Sequence, residues 1–147
     1  MRALVQRVEQ ASVEVDGQVV GSCGNGFLVL LGVSTTDSEA TCDKLWGKVR
    51  DLRIFADAEG KTNLSLTDVG GSVLVVSQFT LYADTRKGHR PSFTQAARGE
   101  LAEALYERFC ALAETDLGAA RVGRGGFGVN MRVSLVNDGP FTVMLEV

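Results

Sequence analysis

The chain has one histidine and three cysteines in 147 residues, and each scarcity removes a class of function. His89 alone would have to serve any Ser-His-Asp triad, yet nothing in the polar run "TRKGHRPS" brings it beside a nucleophile. It reads as a solvated loop histidine. Cys23, Cys42 and Cys110 are odd in number and form no CxxC pair, so they read as reduced core residues of a cytosolic protein. No HExxH or P-loop pattern is present, so neither a metal nor any other cofactor is expected. No stretch approaches the ~20 apolar residues of a membrane helix, and "MRALVQRVEQ" lacks the apolar run and cleavage site of a signal peptide. A cytoplasmic location with no membrane partner is the expectation. Positive charge is not in excess either: the net charge is -3 and the pI about 5.2. A protein that grips long stretches of nucleic acid is usually basic, so any such contact here should be local.

What is present is ordinary globular composition, 45% hydrophobic and 22% charged, long enough for a real core in one domain over residues 1–147. Ala3 to Val8, Ser12 to Val15 and Gln18 to Val20 alternate or run β-branched, with Asp16-Gly17 as a hairpin signal between the last two. "GFLVLLGV" is a continuous apolar run, as in a strand buried on both faces. Thr36 and Glu39 form a plausible capping box before Leu45, Trp46 and Val49, which predicts a helix to about Arg50. "LRIF" reads as a strand before the turn "DAEG", and "GGSVLVVSQFTL" is the most strongly β segment. Leu101, Leu105, Phe109 and Leu112 mark one stripe of a second helix that starts near Arg98 or Gly99. The closing "SLVNDGPFTVMLEV" reads as two strands about a tight turn at Asn137-Asp138-Gly139. Pro140 follows at once, lacking an N–H where pairing should resume, so this turn needs rigidity more than a ladder bond. The sum is an α+β fold: a single domain of antiparallel or mixed sheet, about eight strands, with two packed helices.

Three motifs carry candidate chemistry. "GRGGFG" at 123–128 satisfies G-x-G-x-x-G, but it runs into the strand-like "VNMRVSLV" rather than a helix, so a flexible loop is the better reading. Arg86, Lys87 and Arg90 could seat a phosphate or could be a solvated charged loop. The carboxylates form no constellation: Asp57 and Glu59 fall in a turn, and Glu100, Glu103 and Glu107 line a polar helix face. "SQFTL", Ser77 to Leu81, ends the longest apolar strand, where sites are often built at a sheet's rim.

The segments "GGSVLVVSQFTLYADTRKGHRPSF" and "VSLVNDGP" resemble the two signature motifs of the D-aminoacyl-tRNA deacylases, the D-Tyr-tRNA deacylase family. "ALVQRVEQASVEVDG" and "LRIFADAEGKTNLSL" are similar to its pattern too, so the likeness covers essentially the whole chain. The resemblance implies a homodimeric enzyme that hydrolyses the ester joining a D-amino acid to the 3′ end of tRNA, a proofreading activity in translation. It implies a catalytic motif at Ser77, Gln78, Phe79 and Thr80. It also implies a Gly139-Pro140 dipeptide, cis at its peptide bond, that enters the partner subunit's pocket, with pocket roles for Phe127 and Met131. Phe141 stands where the family pattern often has a smaller β-branched residue.

D and L substrates contain the same atoms, and a soft side-chain wall discriminates by only about 1–3 kcal/mol per methylene. A main-chain wall is stiffer: Gly139 lets it approach closely and Pro140 fixes its φ. Discrimination by exclusion of the L arrangement leaves glycine, which has no side chain, as a substrate alongside the D-amino acids. For the chemical step two routes stand open. Thr80 attacks and forms an acyl-enzyme, or N–H groups near Phe79 and Thr80 bind the oxyanion while the ribose 2′-OH assists a water. An inactive RNA-end-binding module of the same fold, and a generic serine-type esterase, are the other readings.

Overall fold

The computed structural model describes all residues from Met1 to Val147. Strand β1 (Arg2–Val15) is long enough to serve three neighbours. Its first half pairs antiparallel with β3 (Gly26–Gly32), its second half with β2 (Gln18–Cys23), and its whole length with β8 (Arg132–Glu146). Strand β6 (Ser72–Ser77) joins β3 in parallel, and β7 (Val122–Arg124) joins β6, giving the order β2-β1-β3-β6-β7 with β8 on β1. The sheet curls until its two ends meet. A Cβ placed on Gly123 would lie 2.4 Å from the Ser22 carbonyl oxygen, so β7 can lie against β2 only with glycine there.

Both faces of the central strands are buried, with opposite loyalties set by the two-residue period. Phe27, Val29 and Leu31 of β3, with Val73 and Val75 of β6, enter the larger core. That core lies under helices α1 (Glu39–Arg50) and α2 (Gly99–Leu117). Leu28, Leu74 and Val76 face the inside of the curl with Val8, Ala11 and Val13. The eight strands and two long helices match the expected α+β mixed sheet; the eight include β4 (Phe55–Ala56) and β5 (Thr62–Leu64), which form a separate small ladder. No helix is long and apolar enough to cross a membrane.

Several local expectations are corrected. Helix α1 is capped by Ser38 and Thr41, not Thr36 and Glu39: the Ser38 N–H donates to Thr41 Oγ1 at 2.7 Å, the role a Glu carboxylate would otherwise take. Only the end of "LRIF" is a strand, because the backbone before it is held in tight turns, Leu52 N–H to the Val49 carbonyl and Ile54 N–H to the Leu52 carbonyl. The buried face of α2 is Ala102, Leu105, Tyr106, Phe109, Cys110, Ala113 and Leu117, while Leu101 is 40% exposed. Small residues pack α2 closely on the sheet, which turns the predicted stripe by one position. The closing segment is not a hairpin. Its two halves continue as β8 along the same partner, β1.

All three thiols are free and buried. Burial pushes Cys23 from the ordinary 9.0 up to about 11 and Cys42 and Cys110 up to about 12. Their pKa is higher folded than unfolded, so their contribution is full below pH 9 and lost as pH rises towards 12. Denaturant midpoints should therefore fall between pH 9 and 11, and a thiol reagent should label the native protein only on unfolding. Labelling of the native state at pH 8 would contradict this packing.

Candidate active site

Strand β6 carries its apolar run out to Ser77, and there the ladder yields. The Gln78 N–H still donates to the Leu31 carbonyl oxygen at 2.7 Å, after which residues Phe79–Tyr82 wind into a single 3₁₀ turn. Short helices leave their first N–H groups without a carbonyl inside the helix, here those of Phe79 and Thr80. The carboxyl ends of parallel strands are where α/β sheets open crevices, and one opens here. A cleft of about 540 Å³ lies between the ends of β3 and β6, the start of α2 and the loop 127–131.

The cleft gathers Ser77, Gln78, Phe79, Phe127 and Met131 from the residues expected of a site. Thr80 is exposed beside it and its Oγ1 accepts a hydrogen bond from Gln78 Nε2. Phe79 is 52% exposed, its ring edge-on to Phe93 with centroids 5.1 Å apart. The glycine-rich loop finds its reason in this wall. A Cβ at Gly125 would lie 2.8 Å from Met131 Sδ, so the glycine makes room for the methionine. The Tyr106 hydroxyl, donating at 2.9 Å to the Gly125 carbonyl oxygen, fastens the same loop, and its ring tilts against Phe127 at 5.8 Å.

Among the lining residues, Arg98 alone is charged, and no carboxylate or histidine is among them. His89 is exposed on the connection between Tyr82 and α2, in keeping with the solvated reading. The cleft thus offers backbone N–H groups, amides, hydroxyls and apolar walls, but no side chain able to take a proton at neutral pH. Nor does any His, Cys, Asp and Glu grouping suit a metal.

Gly139 and Pro140 are not in this cleft. They are exposed at a break in β8, where pairing with β1 jumps from Val8↔Asn137 to Gln6↔Thr142. Asp138 to Phe141 stand opposite Arg7 alone, and the Gly139-Pro140 peptide is cis. The bulge is clamped from β1. Arg7, 11% exposed, bonds Asp138 Oδ2 at 2.7 Å and holds its guanidinium 4.3 Å above the Phe141 ring. Asn137 Nδ2 donates to the Arg7 carbonyl oxygen at 2.8 Å and to the Phe141 carbonyl oxygen at 3.3 Å. Phe141 is therefore accommodated as the platform for Arg7. Replacing Arg7 by Met should lower unfolding stability by about 1–3 kcal/mol, because the charge-assisted bonds go and the shape stays. A denaturant titration of Arg7→Met showing no loss would mean the clamp is ornamental.

Residues 4–146 match the family described as D-Tyr-tRNA(Tyr) deacylase. The chain belongs to that family. Proteins called D-aminoacyl-tRNA deacylase are similar to it throughout: that of Roseiflexus castenholzii is 57% identical over 99% of this chain and 92% of its own. That of Chloroflexus aurantiacus is 56% identical over 99% and 90%. Among solved structures, the c-Myc DNA Unwinding Element Binding Protein superposes with a TM-score of 0.94 at 38% identity, covering 100% of this chain and 99% of that one. A probable eukaryotic D-amino acid tRNA deacylase shares the fold with a TM-score of 0.85 at 23% identity, over 99% and 98%. Membership makes the protein an enzyme, a hydrolase of aminoacyl-tRNA esters, as the sequence motifs implied.

Three contributors to the cleft and its bulge escaped the sequence: Arg98, Tyr106 and Arg7. Arg98 was visible only as a helix start, and Tyr106 lay off the predicted apolar stripe. Arg7 was one alternating polar residue of a strand, with nothing local to say which bulge it faces.

Proposed function

We propose that the whole chain works as one cytoplasmic deacylase domain that frees D-amino acids, and glycine, from the 3′ end of tRNA. The observation that carries this is the cleft at the end of β6, walled by Phe79, Phe127 and Met131, opening where Phe79–Tyr82 wind into a 3₁₀ turn and lined by no side-chain base. Gly139-Pro140 acts as the chiral gate, and it does so in a second subunit. Within one chain Phe141 anchors the bulge on the core, while a Cβ at Gly139 would meet nothing nearer than Asn137 Oδ1 at 3.6 Å, so the tip itself is free to reach another subunit. It projects from an edge strand that has no other partner in the chain and that exposes Val136 and Met144. Such an edge invites pairing with another copy. A two-fold axis through it gives two equivalent crossed sites, each combining one cleft with the partner subunit's Gly139 and Pro140.

In the site so formed the ester carbonyl lies against the N–H groups of Phe79 and Thr80, which stabilise the developing oxyanion. Gln78 Nε2 donates to the Thr80 hydroxyl and orients it, and no side-chain base among the cleft residues stands ready to take its proton. The attacking water is assisted by the neighbouring ribose 2′-OH. The L arrangement would drive its side chain into the main chain of the gate. Time courses on matched D-Tyr-, L-Tyr- and Gly-tRNA test the reading: D-Tyr- and Gly-tRNA should be cleaved and L-Tyr-tRNA left intact. Intact Gly-tRNA beside cleaved D-Tyr-tRNA would end the purely steric account.

A further inference from the structure

The cleft can take an aminoacyl group and its ribose, but the RNA that carries them is a polyanion that must leave by the mouth. Between Thr85 and Gly99 the chain has no Asp or Glu, yet it holds Arg86, Lys87, Arg90 and Arg98, four of the protein's 15 lysines and arginines. This concentration occurs in a protein of net charge -3. It is also built. Asp84 and Ser92 form an isolated antiparallel bridge, with N–H to O distances of 2.8 and 2.9 Å, so residues 85–91 project as an exposed hairpin. Arg86 is bound to Asp84 at 2.7 Å and steadies the stem. The return leg is tied to the segment just past β3 by a Ser34↔Ala96 bridge. Phe93 on that leg stacks edge-on against Phe79 of the cleft wall.

Elsewhere the arginines are mostly neutralised: Arg2, Arg7, Arg50, Arg108 and Arg124 each pair with a carboxylate. Lys87, Arg90 and Arg98 do not. Arg98 looks into the cleft, and Lys87 and Arg90 stand on a hairpin anchored at its rim. We propose that this hairpin is the seat of the RNA, with Lys87 and Arg90 on backbone phosphates of the acceptor end and Arg98 on the phosphate nearest the terminal nucleoside. Phosphate contacts of this kind position the ligand without reading its sequence, which suits a protein whose recognition is made at the amino acid. The proposal rests on the deacylase reading above and adds the means by which the same site holds its polyanionic substrate.

The test compares two substrates, D-aminoacyl-tRNA and 3′-O-D-aminoacyl-adenosine, which bears the ester but no phosphate. For Lys87→Ala/Arg90→Ala, kcat/KM on the tRNA should fall about ten-fold or more at 0.1 M salt. The slope of its logarithm against log salt concentration should become shallower by about 2. Activity on the adenosine ester should stay at the wild-type value. Lys87→Arg/Arg90→Lys, which keeps the charges, should restore both rate and slope. An equal loss on both substrates, or an unchanged salt slope, overturns the proposal. Wild-type protein inactive on both substrates would bring down the deacylase reading itself, which separates the two failures.

Discussion

Gly139→Ala should leave the subunit folded and all but abolish hydrolysis of D-Tyr-tRNA. A Cβ at Gly139 would meet only Asn137 Oδ1, at an ordinary 3.6 Å, and the residue is not among the glycines at positive φ. Nothing inside the chain therefore requires glycine, and the change in unfolding free energy should stay within about 0.5 kcal/mol. If the position faces an ester bound by another subunit, one methyl group fills the space in which the D-amino acid is held. A displacement of about 1 Å at the reacting centre costs on the order of 100-fold. The expected result is a fall in kcat/KM of that size with an unchanged denaturation midpoint. A variant that is equally stable and fully active would show that Gly139 borders no substrate.

The second large effect belongs to the RNA. The cleft contains no carboxylate or histidine, and the proposed mechanism gives the proton handling to the ribose 2′-OH of the substrate. General acid–base assistance is worth about 10²–10⁴-fold. A D-aminoacyl-tRNA ending in 2′-deoxyadenosine should lose that factor in kcat, with KM little altered. Thr80→Ala should by contrast keep its rate within about ten-fold, because the proposed mechanism uses the Thr80 main-chain N–H and takes from its hydroxyl only the bond to Gln78. Full activity on the deoxy substrate, or an acyl group trapped on Thr80, would return the chemistry to the protein.

Local pattern carried the central strands well, and it carried their connections poorly. The run from Gly26 and the run ending at Ser77 are strands buried on both faces, because two cores on opposite sides of a curled sheet demand apolar residues at every position. The long outer strands were legible only in pieces. β1 reads as two strands because exposed Glu9 and Gln10 interrupt its alternation, and β8 reads as a hairpin because Asn137-Asp138-Gly139 has good turn chemistry. A turn and a bulge use the same residues. Only the partner decides between them, and β1, running unbroken past both halves of β8, is remote in sequence.

The motifs told a similar story at the site. Ser77, Gln78 and Phe79 were readable as a strand end, and the structure brings Phe127 and Met131 to them across 48 residues or more of chain. The glycines of 123–128 imitate a nucleotide fingerprint, but their cause is close packing, against β2 at Gly123 and beneath Met131 at Gly125. Arg98 and Tyr106 act through a fold that no local window contains.

Complementation between two damaged subunits addresses the chiral gate most directly. Val129→Trp would block the cleft from its exposed wall, and Gly139→Ala would spoil the gate, so each homodimer should be inactive. After the two are unfolded together and refolded in equal amounts, half of the dimers are mixed. Each mixed dimer pairs one intact cleft with one intact gate, so hydrolysis of D-Tyr-tRNA should return to about a quarter of the wild-type rate. Mixed dimers that form and stay inactive would place the gate and the cleft in the same chain, contrary to this account.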